Sequence, residues 1–319
     1  MQHQPSLLRR LTTTDAVVIG LGSMIGAGVF AAFGPAAKAA GAGLLVGLAI
    51  AAFIAYCNAV ASAQLAAAYP SSGGTYHYGR ERLNDWWGFT AGWGFVIGKT
   101  ASCAAMAMTV AAYAIPDGGW LRRLVAIGAV VALTALNYRG ITRTAGMTRV
   151  LVTLALLALA TVVVAIHIFG DPDVSHLGDG EQWTIGGPYG VLQAAGLLFF
   201  AFAGYARIAT LGEEVRDPET TIPRAIPLAL GITVVVYVVV AVTIISGAGA
   251  GRIAASTAPL VTAVETAGVG TVEPVVRVGA MVAAMGALLA LIAGIGRTTL
   301  AMARNRDLPA WLAAVHPTY

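Results

Sequence analysis

Residues 20–28 read Gly-Leu-Gly-Ser-Met-Ile-Gly-Ala-Gly, and these four glycines interrupt the first long apolar segment of the chain. Residues 199–205, Phe-Phe-Ala-Phe-Ala-Gly-Tyr, interrupt a later one. Glycine weakens a helix, and a helix broken inside a membrane leaves N–H and C=O groups that are tolerated only when buried in protein or facing a cavity. Two such interruptions in corresponding positions of two halves indicate the binding site of a secondary transporter.

The composition is that of a membrane protein. Hydrophobic residues make up 58% of the 319 residues and charged residues 11%, whereas soluble proteins carry about 25% charged residues. A helix needs about 20 apolar residues to span a bilayer. We predict eight spans, at residues 16–37, 43–65, 89–115, 121–136, 150–169, 189–211, 225–246 and 274–301. The chain is therefore predicted to be an all-α integral membrane protein in the lipid bilayer.

The distribution of Lys and Arg predicts the orientation. With the N-terminus in the cytoplasm, eleven of the nineteen fall in inner segments, five in outer segments and three inside spans. Cytoplasmic loops carry an excess of these residues. We therefore expect a multi-pass protein of the cytoplasmic (plasma) membrane with a cytoplasmic N-terminus. The net charge of +4 follows from this bias, so we expect no nucleic-acid partner.

The sequence shows no pattern typical of a catalytic or metal site. Both cysteines, Cys57 and Cys103, fall inside predicted spans and form no metal-binding pair. The five histidines lack metal-ligand spacing, and no Ser/His/Asp or Cys/His set is legible. We expect no enzyme activity, no metal and no cofactor.

The glycine run also allows two other interpretations. Residues 16–28 resemble a strand leading into a dinucleotide-binding turn, which needs an acidic residue about 20 positions further on. The next acidic residue after Asp15 is Glu81, so that interpretation fails. Gly22 and Gly26 have the small-x-x-x-small spacing of closely packed membrane helices. From these residues alone, packing and binding stay equally open.

A break across residues 22–28 suits a zwitterion. The half-helix after the break presents free N–H groups and the positive end of its dipole, and the half-helix before it presents free carbonyls. An amino acid carries an anion and a cation a few ångströms apart, which complements this arrangement.

Four stretches, in order, resemble motifs of the amino acid–polyamine–organocation permeases. Residues 22–30, Gly-Ser-Met-Ile-Gly-Ala-Gly-Val-Phe, are similar to the first-span motif, and residues 69–78, Tyr-Pro-Ser-Ser-Gly-Gly-Thr-Tyr-His-Tyr, to the loop after the second span. Residues 199–226 resemble the sixth span and the loop after it. Residues 301–309, Ala-Met-Ala-Arg-Asn-Arg-Asp-Leu-Pro, resemble the end of the eighth span. The likeness covers nearly the whole chain.

The resemblance implies a LeuT-like fold, a 5+5 inverted repeat. Residues 1–170 are then the first repeat, spans 1–5 with a broken span 1, and residues 171–319 a partial second repeat, spans 6–8 with a broken span 6. Family members continue for several more spans, so either a partner completes the repeat or the chain is a fragment of a longer permease, which we expect. The implied function is transport of amino acids across the membrane by alternating access.

The resemblance also implies the substrate site. The substrate carboxylate meets backbone amides of residues 25–28, and the ammonium meets carbonyls near Met24 and in residues 200–203. The full set of candidate binding residues is Ser23, Met24, Ile25, Gly26, Ala27, Gly28, Phe200, Ala201, Phe202, Ala203, Gly204, Tyr205 and Arg207.

The driving ion is not settled by the resemblance. Proton-driven relatives often carry a lysine in span five, and that position is Ala155 here. The span-eight positions whose hydroxyl groups bind sodium in sodium-driven relatives fall near Gly294 and Gly296, with Thr298 and Thr299 close by.

Two cations, Lys99 and Arg207, lie inside predicted spans. Each costs at least about 2.5–3.5 kcal/mol at the bilayer centre and should face a cavity or a partner. Arg207 either bonds carbonyls freed by the break or meets the substrate. Lys99 either extends to the membrane surface, meets the substrate, or takes the proton-coupling role. Both cations favour neutral or acidic amino acids as substrates over cationic ones. Glu213 and Glu214, at the end of span six, are expected to be solvated rather than to form an inner gate.

Two functional alternatives remain open. One is a permease-like sensor or accessory subunit that binds amino acids without translocating them. The other is an exchanger or uniporter that uses no protons.

Overall fold

Membrane-length helical segments account for most of the structure. The computed structural model describes residues 11–69, 73–115, 118–138, 141–178 and 185–314. Helices make up 86% of it, and no β-strand occurs within those ranges. Within the described ranges, eight segments are long and apolar enough to cross a membrane, which confirms the number predicted. They are Thr13–Ala31, Phe33–Ala68, Asp85–Ala114, Gly119–Tyr138, Gly146–Phe169, Gly187–Ala209, Pro218–Ala255 and Gly270–Arg304.

The α-helices are numbered in chain order. They are α1 (Thr13–Met24), α2 (Ala27–Ala31), α3 (Phe33–Ala40), α4 (Leu44–Ala68), α5 (Thr75–Arg82), α6 (Asp85–Ala114), α7 (Gly119–Tyr138), α8 (Ile141–Val164), α9 (Ser175–Gly178), α10 (Gly187–Phe202), α11 (Ala206–Ala209), α12 (Pro218–Ala255), α13 (Pro259–Thr266) and α14 (Glu273–Arg304). A π-helical turn, Ala165–Phe169, extends α8, and a 3-10 turn, Ala203–Tyr205, joins α10 to α11.

The first spanning segment is broken inside the glycine run. A capping box between Thr12 and Asp15 starts α1. At Ile25 the backbone leaves the helical region (φ −79°, ψ 80°), and Gly26 is extended (φ −141°, ψ −143°). The two residues between α1 and α2 are not helical, so the helix is interrupted in the middle of the segment.

The second interruption is milder. Ala203 keeps helix-like backbone angles (φ −60°, ψ −4°), so α10 tightens into the 3-10 turn and continues into the single turn of α11. A series of turns then follows to Glu214. This segment is therefore distorted rather than unwound.

The predicted end of the first span, at residue 37, is wrong. The first segment ends at Ala31, and α3 belongs to the next segment. Pro35 lies in the first turn of α3, where its missing N–H is tolerated, but it cannot donate the bond that would continue α2. Gly41 then ends α3 with a left-handed backbone (φ 57°), which favours glycine.

The first and last spanning segments form the core of the bundle. In the first and last spanning segments, 76% and 67% of the apolar stretch is buried, against 11% for α7. α14 contacts α1, α6 and α8, whereas α12 packs against α1, α3 and α4. The interruption in the first segment therefore lies at the centre of the protein, and α7 lies at the periphery.

We expect Gly190→Ala to lower the melting temperature of the detergent-solubilised protein. A Cβ at this position of α10 would lie 2.3 Å from the carbonyl oxygen of Ala39, and because that atom is backbone, α10 and α3 would have to separate, at a cost of about 1–3 kcal/mol. Gly196→Ala, on the same helix, is the matched control, because a Cβ there meets nothing within 4 Å. Equal melting temperatures of the two variants would contradict this packing.

Candidate functional site

One cavity lies between the two interruptions and is bordered by both. Backbone and side chains of α1, α2, α6, α10 and α14 surround it. Its lining residues are Ser23, Met24, Gly26, Gly28, Phe95, Lys99, Ser102, Met106, Phe200, Ala201, Ala203, Gly204, Arg207, Ala287, Ala290, Leu291 and Gly294. The two glycine-containing stretches, residues 20–28 and 199–205, are far apart in sequence and therefore face one space only because of the fold.

Nine of the thirteen candidate binding residues line this cavity. Ile25, Phe202 and Tyr205 are buried outside its lining. The Phe202 ring packs instead on Tyr237, with ring centroids 4.9 Å apart. The side chain of Ala27 lies outside the described part of the chain, although its backbone begins α2.

Tyr237 on α12 connects the two interruptions. Its side chain is fully buried, and its hydroxyl donates to the carbonyl oxygen of Met24 at 2.5 Å and lies 3.2 Å from that of Ala201. This residue was not predicted from the sequence. A signal was present, because a single tyrosine among the seven valines of a spanning segment carries a hydroxyl that needs a partner when buried.

The amides at the first break are only partly free. The Ile25 N–H donates to the Leu21 carbonyl at 2.7 Å, and the Gly26 N–H donates to the Met24 carbonyl at 2.9 Å. Both amides therefore already have acceptors within the protein, and their contact with a substrate stays a prediction. Ala27 and Gly28 open α2, where helix geometry provides their N–H groups with no intrahelical acceptor.

Lys99 reaches the second break. Its Nζ lies 3.5 Å from the carbonyl oxygen of Ala203, to which it donates, and 5.6 Å from the centre of the Phe95 ring. It does not extend to the membrane surface, so that alternative is wrong. Among the candidate cations, Lys99 rather than Arg207 bonds a carbonyl of the interruption.

The other cavity-lining residues on the same face of α6 as Lys99 could have been predicted from the sequence. Phe95, Lys99, Ser102 and Met106 are spaced by four, three and four residues along α6, which places them on one helical face. All four line the cavity. Counting turns from the one lysine of the third span would have identified the other three.

Arg207 is buried beside the same cavity. Its side chain is 6% exposed, and its Nη1 donates to the hydroxyl of Thr210 at 3.1 Å. Its Nε has no hydrogen-bond acceptor in the described structure. Across the cavity wall, Gly294 on α14 leaves space, since a Cβ there would lie 3.5 Å from the Arg207 Cδ.

The expectation of a solvated Glu214 is wrong. Glu214 is 4% exposed and accepts two bonds from Arg297 on α14, from Nε at 2.6 Å and from Nη2 at 2.5 Å. Arg297 lies inside a span and holds this carboxylate, because an unpaired charge is costly there. Glu213 faces Arg304 at 3.7 Å.

Asp15 is a second buried acidic residue. Asp15, one residue before the predicted start of the first span, belongs to α1 and is 7% exposed. It forms an ion pair with Arg149 on α8. The adjacent Leu11 exchanges backbone bonds with residues 214–216. The start of α1 is thus joined both to α8 and to the segment after α11.

The loop after the second span is fixed to the end of α14. Tyr76 donates its hydroxyl to Asp307 Oδ2 at 2.6 Å, and Arg80 donates to the same atom at 2.7 Å. Burial, and next the bond to Asp307, raise the pKa of Tyr76 to about 12. The phenol therefore stays a proton donor throughout the physiological range. Residues 70–72 of the motif at 69–78 lie outside the described residues.

The coupling candidates are dispersed. Ala155 is fully buried on α8, which packs against α1 and α14. Thr298 is buried, and its hydroxyl has no partner in the described structure, whereas Thr299 is half-buried. Of these residues and Lys99, only Lys99 lines the cavity. No group of three His, Cys, Asp or Glu side chains in the described ranges could hold a metal.

The sequence is similar to known transporters. The family model described as amino acid permease matches residues 15–316. An uncharacterized transporter of Mycobacterium tuberculosis is 63% identical over 98% of this chain and 70% of its own length. A branched-chain amino acid permease of Bacillus subtilis is 26% identical over 99% of this chain and 71% of its own length. A chloroplastic cationic amino acid transporter of Arabidopsis thaliana is 28% identical over 97% and 57%.

A match across nearly the whole chain, on a bundle of eight membrane-length segments, shows the family. The chain therefore belongs to the amino acid permease family, within the amino acid–polyamine–organocation superfamily, and it is a multi-pass amino acid transporter rather than an enzyme.

Proposed function

We propose that the protein is a secondary active transporter that moves amino acids across the cytoplasmic membrane by alternating access. The observation that carries this is the single cavity bordered by both helix interruptions. In the proposed fold, a LeuT-like inverted repeat, residues 1–170 form the first repeat and residues 171–319 a partial second one. The N-terminus is cytoplasmic, as the distribution of Lys and Arg favours.

The substrate backbone binds to main-chain groups in this cavity. Its carboxylate accepts from the N–H groups of Ala27 and Gly28, at the positive end of the α2 dipole. Its ammonium donates to the carbonyl oxygen of Ala203, to which the Lys99 ammonium donates in the structure. The contact with Ala203 supports this assignment, because a cation already occupies that position.

Ion pairs close the cytoplasmic end in the proposed orientation. Asp15 pairs with Arg149, and Glu214 pairs with Arg297. Both pairs join a broken segment to α8 or α14. Alternating access requires α1 and α11 to move relative to these helices, so these pairs must separate when the cavity opens to the cytoplasm.

Gly204→Ala is expected to abolish amino acid uptake. A Cβ at position 204 would lie 2.5 Å from the backbone carbon and oxygen of Ser23, which forces the two interruptions apart and misplaces the main-chain groups. Uptake of a labelled amino acid mixture into proteoliposomes measures the effect. Gly294→Ala is the matched control, because its Cβ also borders the cavity but makes only an ordinary contact with Arg207 at 3.5 Å.

The same uptake assay distinguishes a transporter from a sensor or accessory subunit. Concentrative uptake by the parent protein, lost in Gly204→Ala and retained in Gly294→Ala, supports transport through this cavity. Binding without flux by the parent would instead identify a sensor or accessory subunit. Normal uptake by Gly204→Ala would contradict the site.

Lys99→Met is expected to remove the pH dependence of uptake and leave exchange or facilitated diffusion. The variant keeps the bulk of the side chain but removes the ammonium at Ala203. Two other charged or titratable groups are near Lys99: Arg207 lines the same cavity, and Cys103 lies one turn further along α6. Uptake is therefore compared at several external pH values in the parent protein and in each variant. Lys38→Met removes an exposed lysine and serves as the control.

We also expect uptake without sodium. Gly294 and Gly296 replace the likeliest hydroxyl ligands on α14. A sodium requirement of the parent, which would implicate the unpartnered Thr298 hydroxyl, contradicts this coupling. An unchanged pH profile in Lys99→Met, or a parent with no pH dependence, contradicts it as well, and the latter result identifies an exchanger or uniporter.

Glu214→Gln is expected to lower the melting temperature much more than Glu213→Gln. Removing the carboxylate leaves Arg297 as a buried charge without its partner, which costs about 3–5 kcal/mol. The Glu213 carboxylate is half-buried and lies 3.7 Å from Arg304, a pair worth about 0–1 kcal/mol. Replacing Glu214 and Arg297 together by leucine should recover stability relative to Glu214→Gln. Similar melting temperatures of the two single variants would contradict a buried pair.

A further inference from the structure

The cavity carries an excess of positive charge. Lys99 and Arg207 both line it, and neither takes part in an ion pair within the described ranges. Cations in the membrane interior face a partner or a cavity because they are costly when alone. No carboxylate is among the residues that line the cavity.

Arg207 lines this cavity and has a hydrogen-bond donor without a partner. Its side chain is 6% exposed. One nitrogen, Nη1, donates to Thr210, and another, Nε, has no acceptor. An unsatisfied donor in a buried guanidinium is unfavourable, and a guanidinium fits a carboxylate with two parallel bonds. The glycine at position 294 keeps the neighbouring wall open.

Glu214 lies close enough to Arg207 to interact with it electrostatically, but its carboxylate is already paired. Glu214 is engaged by two nitrogens of Arg297, at 2.6 and 2.5 Å. A carboxylate held bidentately by one arginine makes a neutral pair. The charge of Arg207 therefore remains for a bound molecule to neutralise.

We propose, on the basis of the transport function proposed above, that the substrate carries an acidic side chain whose carboxylate binds Arg207. The α-carboxylate and ammonium of an amino acid cancel each other, so a neutral amino acid leaves the excess charge in place. An acidic amino acid supplies one further negative charge. A cationic amino acid adds a third positive charge to a cavity of low dielectric constant, where like charges repel strongly.

Arg207 is close in sequence to the groups that bind the substrate backbone in the mode proposed above. In that mode the N–H groups of Ala27 and Gly28 take the α-carboxylate and the Ala203 carbonyl takes the ammonium. Arg207 follows Ala203 by four residues, one turn further along the second interrupted segment. A side chain of two or three carbons beyond the α-carbon spans such a distance.

The decisive experiment compares each acidic amino acid with its amide. Glutamate and glutamine, or aspartate and asparagine, differ by little except charge. Competition against a labelled amino acid in proteoliposomes containing the parent protein should show that the acid binds at least about tenfold more tightly than its amide, as for other buried charge pairs. Arginine and lysine should compete worst.

Variants of Arg207 test whether this side chain causes the preference for the acid. Arg207→Met should remove the preference, so that the acid and its amide compete equally, and a melting temperature close to that of the parent shows that the variant is folded. Arg207→Lys should restore part of the preference, because it keeps the charge but loses the two parallel bonds. Arg252→Met removes an exposed arginine at the end of α12 and should leave the preference unchanged.

Each other outcome has a distinct meaning. Equal binding of acid and amide by the parent overturns the acidic-substrate inference but leaves amino acid transport intact, whereas binding of no amino acid overturns the transport proposal itself. If the amide binds only in the presence of chloride, and Arg207→Met removes that requirement, Arg207 holds an inorganic anion and the inference is wrong. An acid preference that survives Arg207→Met also overturns it.

Discussion

The structure depends on the need to pair every backbone N–H and C=O group inside a membrane. A continuous helix pairs these groups internally, but in this chain one spanning helix is broken and another is distorted. At the first break Ile25 and Gly26 donate to carbonyls of the preceding turn, and the Tyr237 hydroxyl pairs with the Met24 carbonyl. The N–H groups that open α2 have no acceptor within their own helix, and Gly28 lines the cavity. The break is therefore stable because few of its polar groups lack a partner.

The glycines act in packing as well as in breaking the helix. A Cβ at Gly28 would lie 2.5 Å from the Cβ of Ala201, and one at Gly204 would lie 2.5 Å from the Ser23 backbone. The first and second interruptions thus approach each other through glycine on each side. The small-residue packing interpretation and the binding interpretation of the glycine run do not exclude each other, because the close approach is what places both interruptions on one cavity.

Local signals in the sequence predicted the local features well. Hydrophobic run length predicted all eight spanning segments, and the glycine run predicted the break between Met24 and Ala27. Contacts between distant residues were not predictable in the same way. Glu214 was expected to be solvated because nothing near it in sequence suggests that Arg297, 83 residues later, reaches it. Tyr237 was missed for the same reason, since its partners lie on other helices.

Lys99 provides a partner for a carbonyl of the second interruption. The Ala203 carbonyl needs a donor and the Lys99 ammonium needs an acceptor, so the contact between them satisfies both. In the proposed binding mode a substrate ammonium replaces the lysine at that carbonyl, so binding exchanges one cation for another rather than creating a new polar contact. The released Lys99 side chain then lies free beside the substrate. Binding of substrate and the state of Lys99 are thereby linked through a single carbonyl oxygen, which is the kind of connection that coupling between a substrate and a proton requires.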